Sequence, residues 1–190
     1  MTPDDVQLTS DTLLIRPPRE SDVLAMYEAA RESVAEVGRW LPWCHEGYER
    51  NESGAWIITC RSAWLADESY PMFIFDRQSG QLVGGTGINE IDRLRRRGNL
   101  GYWVRSSRMR HGIATTSTRM VARWAFDALG LQRIEIVAAT GNTASQRVAT
   151  KVGALREGLC RNRLRVHDVP TDAWVFSLVP SDVELWGADL

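Results

Sequence analysis

Residues 100–116 form the segment of this chain that most constrains its fold, because a strand, a one-glycine loop and a long helix follow one another directly. The first N–H groups of a helix have no partner within the helix, and the helix dipole adds partial positive charge there. Gly112 lets a ligand approach the backbone closely, while Arg108 and Arg110 supply full charges nearby. The pattern therefore predicts an anion site suited to phosphate. A helix that is merely entered through a tight turn, with arginines at the surface, has the same pattern.

The remaining hydrophobic pattern predicts strands and helices in the order β-α-α-β-β-β-α-β-α-β-β. Strands and helices alternate in the second half, which favours an α/β fold with a mixed sheet and helices on both faces. The strands cover about residues 12–16, 70–75, 82–91, 99–105, 133–139, 155–164 and 172–179. The helices cover about residues 23–30, with Asp22 as N-cap, 53–66, 113–129 and 144–152, with Trp56, Trp64 and Trp124 in the core.

Composition narrows the class of protein. The 190 residues, 44% of them hydrophobic, suit one domain spanning residues 1–190 with a core from about 13 to 179. A net charge of −1 disfavours strong nucleic-acid binding, and no apolar run approaches the roughly 20 residues of a membrane span. Three cysteines without a CxxC pair indicate neither a disulfide framework nor a metal site. The first residues carry acid rather than Lys or Arg, which predicts no signal peptide and a cytoplasmic protein.

Two motifs resemble those of a known family. Residues 109–114 are similar to the acyl-CoA loop, Q/R-x-x-G-x-G/A, of the GNAT N-acetyltransferase superfamily, although Met109 departs from the opening Q/R. Residues 142–154 are similar to the N-x-x-S segment and short helix that follow in that family. The resemblance implies a GNAT fold, with about seven strands in a mixed sheet and about four flanking helices. It also implies acetyl-CoA as cofactor, no metal, and direct attack of an amine on the thioester.

Four further segments resemble one branch of that superfamily. Residues 14–17, 39–43, 100–104 and 172–178 are similar to the RimJ/RimL-type ribosomal-protein N-terminal acetyltransferases. This branch implies a protein or peptide N-terminal amine as acceptor, such as a ribosomal protein N-terminus, and a homodimer. A free α-amine has a pKa of only about 7.7–8.0, so it needs a weaker base than a lysine side chain does. Acetylation of a small amine (a polyamine, amino acid or antibiotic) and non-catalytic sensing of acyl-CoA are the alternatives.

The resemblance also implies which residues form the site. Asn142 holds the pantetheine arm and Ser145 protonates the leaving sulfur, although both residue types are also good helix N-caps. Trp40 and Trp43 line the mouth of the acceptor site, or simply cover a core. One strand and the loop after it bind the cofactor, mainly through their backbone, with Tyr102, Trp103, Val104, Met109, Arg110, His111, Gly112, Ile113, Ala114 and Thr115.

The general base is left open by the sequence. Many relatives have a glutamate two residues before the glycine of the strand at 99–105, but this chain has Asn99, which cannot accept a proton at neutral pH. Asn99 is then a substrate-binding residue and Glu90 the nearest substitute base, unless Glu90 is a solvated carboxylate at a hairpin end. Glu135 alternates with isoleucines and is expected to pair with a neighbour on the sheet. The basic turn at 93–97 is either solvated surface or a steering patch for an acidic partner.

Overall fold

A computed structural model describes residues 2–184 and Trp186 of this chain. Its α-helices are α1 (Val23–Glu32), α2 (Arg50–Leu65), α3 (Ile113–Leu129), α4 (Thr143–Lys151) and α5 (Pro180–Glu184). Its strands are β1 (Leu8–Thr9), β2 (Leu13–Arg16), β3 (Tyr70–Asp76), β4 (Leu82–Asp92), β5 (Arg97–Val104), β6 (Arg133–Ala139), β7 (Leu155–Val166) and β8 (Val169–Leu178).

The strands form one mixed sheet in the order β1-β2-β3-β4-β5-β6-β8-β7. Every neighbouring pair is antiparallel except β5 and β6, which run parallel and are connected through α3. The predicted α/β fold with a mixed sheet is therefore confirmed. The described residues contain eight strands rather than about seven, because the two residues of β1 pair with β2. A strand of two residues is too short to show a hydrophobic period.

Hydrophobic clusters cover both faces of the sheet, as the alternating pattern predicted. One cluster joins Val121 of α3 to Ile74 of β3 and Ile134 of β6, all of them fully buried. The other joins Ile57 of α2 to Phe73 of β3. Phe73 and Ile74 are neighbours in sequence, and successive side chains of a strand point to opposite faces. The helices therefore pack on both sides of β3, and the sheet lies between the two clusters.

Helix α3 begins and ends where the sequence predicted, because a glycine stands at each end. Gly112 precedes the helix with φ +78°, and Gly130 follows it with φ +64°. These are left-handed conformations that L-residues other than glycine rarely adopt. Between them the helix buries residues such as Val121 and Ala125 against the sheet. The glycines thus fix the position at which the first turn of α3 meets the end of β5.

One local prediction is wrong, and a second is confirmed in position only. Trp56 is 46% exposed, whereas Trp64 and Trp124 lie in the core as expected. Trp56 is one residue from Ile57, and one residue turns the helix by about 100°, away from the buried stripe. Asp22 stands at the N-cap position of α1, as predicted, but its side chain makes no cap bond to that helix. Its carboxylate instead accepts two hydrogen bonds from the Arg16 guanidinium, at 2.7 and 2.8 Å, and both residues are buried.

Every helix within residues 2–184 is too short or too polar to cross a membrane. The same part of the chain contains no group of three side chains arranged to hold a metal ion. All three cysteines are free, with Cys44 and Cys60 buried and Cys160 exposed. Burial raises the pKa of Cys44 to about 11 and that of Cys60 to about 12. These two thiols are therefore protonated, and weakly nucleophilic, at neutral pH.

Candidate active site

The sheet opens between β5 and β6. These two strands pair over three residues only, from Arg97 opposite Arg133 to Asn99 opposite Glu135. Beyond Asn99, β5 pairs with β4 alone and β6 pairs with β8 alone. One edge of β5, from residue 100 to 104, therefore faces a gap rather than a strand. Backbone groups on such an edge can bind an extended, amide-rich ligand in the manner of an added strand.

The first turn of α3 lies at one end of this gap and faces open space. No side chain caps this helix end, and a Cβ added at Gly112 would meet no atom within 4 Å. The N–H groups of the first turn, at Ile113, Ala114 and Thr115, have no partner within the helix by geometry. Arg110 is exposed beside them, and its guanidinium has no partner among the described residues. The ring of His111 contacts the carbonyl of Met109 at 2.8 Å and so lies against its own loop.

Helix α1 holds the loop between β5 and α3 in place. The Glu32 carboxylate accepts hydrogen bonds from Arg105 Nε at 2.6 Å and from the Ser107 N–H at 2.9 Å. The Ser106 hydroxyl donates to Glu36 at 2.5 Å. Partial desolvation would raise the pKa of Glu32, but the hydrogen bonds from Ser107 and Arg105 outweigh it and the pKa is lowered. The carboxylate is therefore ionised while it holds the loop.

The structure changes the expected role of one loop arginine. The Arg108 guanidinium donates to the Asp76 carboxylate at 2.5 Å, at the turn between β3 and β4. Hydrogen bonds from Ser79, together with the Arg108 charge, lower the pKa of Asp76. The charge of Arg108 is therefore offset by an ionised carboxylate. Of the two loop arginines, Arg110 is therefore the one that can bind an anion at the start of α3.

Helix α4 begins beside the gap, with Asn142 and Ser145 in its first turn. Asn142 Oδ1 accepts the Ser145 N–H at 3.1 Å, so Asn142 is the N-cap, as its residue type allowed. The amide nitrogen of Asn142 has no partner among the described residues and can still donate to a ligand. The hydroxyl of Tyr102, on β5, lies 3.0 Å from both the Oγ and the backbone oxygen of Ser145. Burial raises the pKa of Tyr102 to about 12.

The two tryptophans expected at the acceptor mouth lie on either side of the gap. The ring of Trp43 packs edge-on against Trp103 of β5, with centroids 5.4 Å apart. A Cβ added at Gly141, just before α4, would lie 3.0 Å from the ring of Trp40. At the end of the β7–β8 hairpin, His167 Nε2 is 2.8 Å from the carbonyl of Gly38, so the hairpin meets this segment. His167 and Gly141 belong to no motif, and the sequence pattern did not identify either of them as a residue of the site.

A small pocket lies at the point where β5 and β6 part. Its lining brings together Glu90 and Asn99, which the sequence singled out, and adds Arg163, with Glu135, Arg97 and Gly98 completing it. The Asn99 amide donates to Asn89 at 2.8 Å, while Asn99 Oδ1 is buried without a partner. Glu90 is exposed and pairs with Arg163 at 2.9 Å. Arg163 lies 73 residues from Glu90, and no sequence signal marked it.

Ion pairs bear on two expectations about charged side chains. Glu135 accepts hydrogen bonds from Arg97 and Arg133, as expected for a residue that pairs on the sheet. Within the basic turn, Arg95 and Arg97 both pair with Asp92. Much of the turn's positive charge is thus offset by neighbouring carboxylates, which favours solvated surface over a steering patch.

Comparison with known proteins identifies the family. The family model described as "Acetyltransferase (GNAT) domain" matches residues 12–155. The uncharacterized N-acetyltransferase YoaA of Bacillus subtilis is 30% identical over 90% of this chain and 96% of its own length. The ribosomal-protein-serine acetyltransferase of Escherichia coli is 19% identical over 90% of this chain and 94% of its own. The solved structure of Mycobacterium smegmatis RimJ in complex with CoA-disulfide superposes with a TM-score of 0.82 and 25% identity, covering 93% of this chain and 87% of that one. The chain therefore belongs to the GNAT acetyltransferase family.

Proposed function

We propose that this protein transfers an acetyl group from acetyl-CoA to the N-terminal amine of a protein or peptide. The observation that carries the proposal is the gap between β5 and β6. It leads from the open first turn of α3 to the pocket that contains Glu90 and Asn99. One end of this path has donors for a diphosphate, and the other has acceptors for an amine. The relative named as a ribosomal-protein-serine acetyltransferase supports a protein acceptor.

The residues along the first part of the path fit acetyl-CoA. The N–H groups at the start of α3 and the Arg110 guanidinium can bind the diphosphate, and Gly112 leaves room for it. The open edge of β5, at Tyr102, Trp103 and Val104, can hydrogen-bond the pantetheine arm, as can the Asn142 amide nitrogen. Met109 and His111 contribute to the shape of the loop. When bound, acetyl-CoA supplies the acetyl thioester that the amine attacks.

The pocket residues have the chemistry that an amine acceptor needs. Asn99 lines the pocket and its Oδ1 has no hydrogen-bond partner, so this oxygen can accept an amine N–H after a side-chain rotation that exposes it. Glu90 stands on the same pocket wall and can take the proton of the ammonium form, directly or through water. An α-amine with a pKa of about 7.7–8.0 is partly neutral at pH 7, so it needs less help from a base than a lysine side chain does. Trp40 and Trp43 flank the approach to the gap.

Two groups serve the leaving side of the reaction. A backbone N–H on the open edge of β5 can polarise the acetyl carbonyl, an effect typically worth about 3 kcal/mol in acyl transfer. The Ser145 hydroxyl, at the first turn of α4, can protonate the departing sulfur. The buried cysteines have raised pKa values and are poor nucleophiles, which supports direct attack by the amine.

Release of free thiol from acetyl-CoA tests the proposal. We expect turnover with peptides that carry a free N-terminus and none with the same peptides blocked at the N-terminus, with polyamines and free amino acids as comparison acceptors. Faster turnover on a small amine than on any peptide would favour the small-molecule alternative. Calorimetric binding of acetyl-CoA without turnover on any amine would favour the sensor. A homodimer, implied by resemblance, is tested by sedimentation of the same sample.

Replacing Ser145 tests the leaving-side assignment separately. We expect Ser145→Ala to lower kcat by about 100-fold, the lower end of the range for general acid catalysis, with the KM for acetyl-CoA within about twofold of the parent. Thr150→Ala, which removes another hydroxyl from α4 that bonds only a backbone carbonyl, is the matched control. Parent-like turnover in Ser145→Ala would show that Ser145 does not take part in the reaction.

A further inference from the structure

We infer that Tyr102 is a positioning residue, whose phenol hydroxyl fixes the Ser145 hydroxyl in the orientation that faces the reacting sulfur. The inference rests on the proposed function, because it assigns a purpose to the contact between these two residues. Neither the loop motif nor the N-x-x-S motif includes a role for this phenol. The side chain instead links two segments that lie 43 residues apart in the sequence.

Two contacts define the position of the phenol relative to Ser145. The Tyr102 hydroxyl lies 3.0 Å from Ser145 Oγ and 3.0 Å from the Ser145 backbone oxygen. When the phenol donates its proton to Ser145 Oγ, the serine proton points away from the phenol and stays available to the sulfur. A serine side chain otherwise rotates among three staggered positions of similar energy. The phenol thus selects one of them.

The backbone N–H of Ser145 is held by a hydrogen bond as well. Its N–H donates to Asn142 Oδ1 at 3.1 Å. The backbone is therefore held by the helix cap on one side and by the phenol on the other, and the hydroxyl has little freedom left. A general acid that is already oriented loses less entropy on reaching the transition state than one that must be ordered first.

Tyr102 reaches Ser145 across the opening of the sheet. Pairing between β5 and β6 ends at Asn99, three residues before Tyr102. The ring of Tyr102 packs with the hydrophobic cluster that contains Leu100 and Val121, which fixes the direction of the side chain. Burial raises the pKa of Tyr102 to about 12, so the phenol keeps its proton at neutral pH. In the proposed assignment the Ser145 hydroxyl contacts the sulfur, and Tyr102 acts through its hydrogen bond to Ser145.

A double-mutant cycle on turnover tests the inference. Tyr102→Phe keeps the ring and removes the hydroxyl, and we expect it to lower kcat by about tenfold with little change in the KM for acetyl-CoA. The double variant Tyr102→Phe/Ser145→Ala should turn over no more slowly than Ser145→Ala alone, because the phenol has no hydroxyl left to orient. Losses that simply multiply would overturn the inference, since the phenol would then act independently of Ser145.

The control is a tyrosine with a similar hydrogen bond away from the gap. The Tyr70 hydroxyl donates to Asp67 at 2.7 Å in a partly buried setting, and Tyr70→Phe should leave kcat unchanged.

The possible outcomes separate the inference from the proposed function. If Ser145→Ala turns over like the parent, the proposed role of Ser145 has failed. If Ser145→Ala is slow and Tyr102→Phe is not, this inference alone has failed. Should Tyr102→Phe not fold, Tyr102→Met repeats the measurement. Loss of folding in both, with Tyr70→Phe folded, would make the phenol a requirement of the fold and overturn the inference.

Discussion

In the proposed mechanism, Asn99 orients the amine and Glu90 takes its proton. Asn99 Oδ1 is buried and can only accept a hydrogen bond, whereas Glu90 is exposed and can exchange protons with water. The two side chains line the same pocket because β4 and β5 are neighbouring strands, with Asn89 opposite Asn99. Orientation of the amine and removal of its proton can therefore be separated by mutation.

Replacing Glu90 should affect turnover in a pH-dependent way. We expect Glu90→Gln to lower kcat/KM for a peptide about tenfold at pH 7, because the ammonium form of the acceptor then lacks a base. The loss should shrink toward pH 9, where an amine with a pKa of about 7.7–8.0 is already neutral. The measurement is the pH profile of thiol release for parent and variant.

The control for Glu90 is Asp168→Asn. Asp168 is likewise an exposed carboxylate paired with an arginine of β7, Arg165, at 3.2 Å, but it lies at the hairpin turn rather than in the pocket. Its replacement should leave the profile unchanged. A Glu90→Gln profile that overlays the parent at every pH would show that Glu90 is a surface carboxylate and that solvent takes the proton.

Single residues of the candidate site could be predicted only where a requirement of the backbone or a sequence motif identified them. Gly112 was identified because a glycine at the start of a helix lets an anion approach the backbone, and its left-handed φ gives a second reason for a glycine there. The contact between Tyr102 and Ser145 was not found, because it depends on which face of β5 the phenol points to. The pairing of Glu90 with Arg163 was not found either, since it joins β4 to β7, which are not neighbours in the sheet. Such contacts follow from strand register, which local periodicity does not determine.

At the scale of elements, α3 offers a matched pair of glycines. Gly112 and Gly130 both have positive φ, and a Cβ at either would meet no atom within 4 Å. Alanine at either position should lower the free energy of unfolding by about 1 kcal/mol, because both variants place an L-residue in the left-handed region. We expect only Gly112→Ala to weaken acetyl-CoA binding as well, by about tenfold, because its methyl group occupies the space before the first turn.

Chemical denaturation and calorimetry on the two alanine variants check this expectation. The pair is informative because a loss of stability alone would affect both variants alike. Equal acetyl-CoA affinities in Gly112→Ala and Gly130→Ala would mean that the ligand does not approach the N-terminus of α3. Unequal affinities with equal stabilities would place the ligand at that end of the helix.

The contact between α1 and the loop before α3 should also be measurable. Glu32→Gln removes the charge that holds Arg105 and weakens the contact with the Ser107 N–H. We expect the Kd for acetyl-CoA to rise several-fold with little change in kcat, since the loop loses order but the gap does not change. Glu28→Gln, one turn earlier on α1 and exposed, is the control. A parent-like Kd in Glu32→Gln would show that the loop is ordered without this contact.

The stabilising effect of Glu32 should depend on pH with a definite sign. Its pKa is lowered in the folded protein, so its contribution is complete above the pKa of the unfolded chain and is lost as the pH falls through the folded value. The melting temperatures of the parent and of Glu32→Gln should therefore differ at pH 7 and converge at acid pH. A difference that grows on acidification would contradict the lowered pKa.

Elements were predicted well where glycines or long periods marked their ends. Helix α3 and strand β6 have the predicted bounds, and the β3–β4 hairpin lies where its turn residues placed it. Helix α2 begins at Arg50, three residues before the predicted start. Its first turn is polar and lies outside the apolar period. Trp56 was misplaced for a related reason, because a tryptophan beside a buried isoleucine fits the helical pattern almost as well as one within the stripe.

At the scale of the whole molecule, the sheet consists of two parts joined by a short parallel ladder. Strands β1–β5 form one part and β6–β8 the other, and three residue pairs connect them. The hydrogen bonds of Tyr102 to Ser145 and of His167 to Gly38 add side-chain links across the divide. The hydrophobic pattern predicted the mixed sheet but not where the ladder would stop, because both strands continue as regular apolar patterns beyond that point. Only the family resemblance implied that the two strands separate near residues 102–104, and their pairing does end at Asn99.

A ligand that lies between the two parts should stabilise the protein more than either of its fragments does. Coenzyme A at about 100 times its Kd contributes about 2.7 kcal/mol by mass action, which raises the Tm of a chain of this size by roughly 5–10 °C. In the proposed site, pantetheine contacts only the edge of β5 and ADP only the start of α3, so each alone should raise the Tm by much less at the same concentration. Both fragments together should still fall short of coenzyme A, because a single linked ligand loses its translational freedom once.

Thermal melts with the four additions (coenzyme A, pantetheine, ADP and both fragments together) test this expectation, and they also locate the site. A Tm shift from ADP equal to that from coenzyme A would show that the ligand binds only at the start of α3 and not in the gap. No Tm shift from any of the four additions would show that the protein does not bind acetyl-CoA.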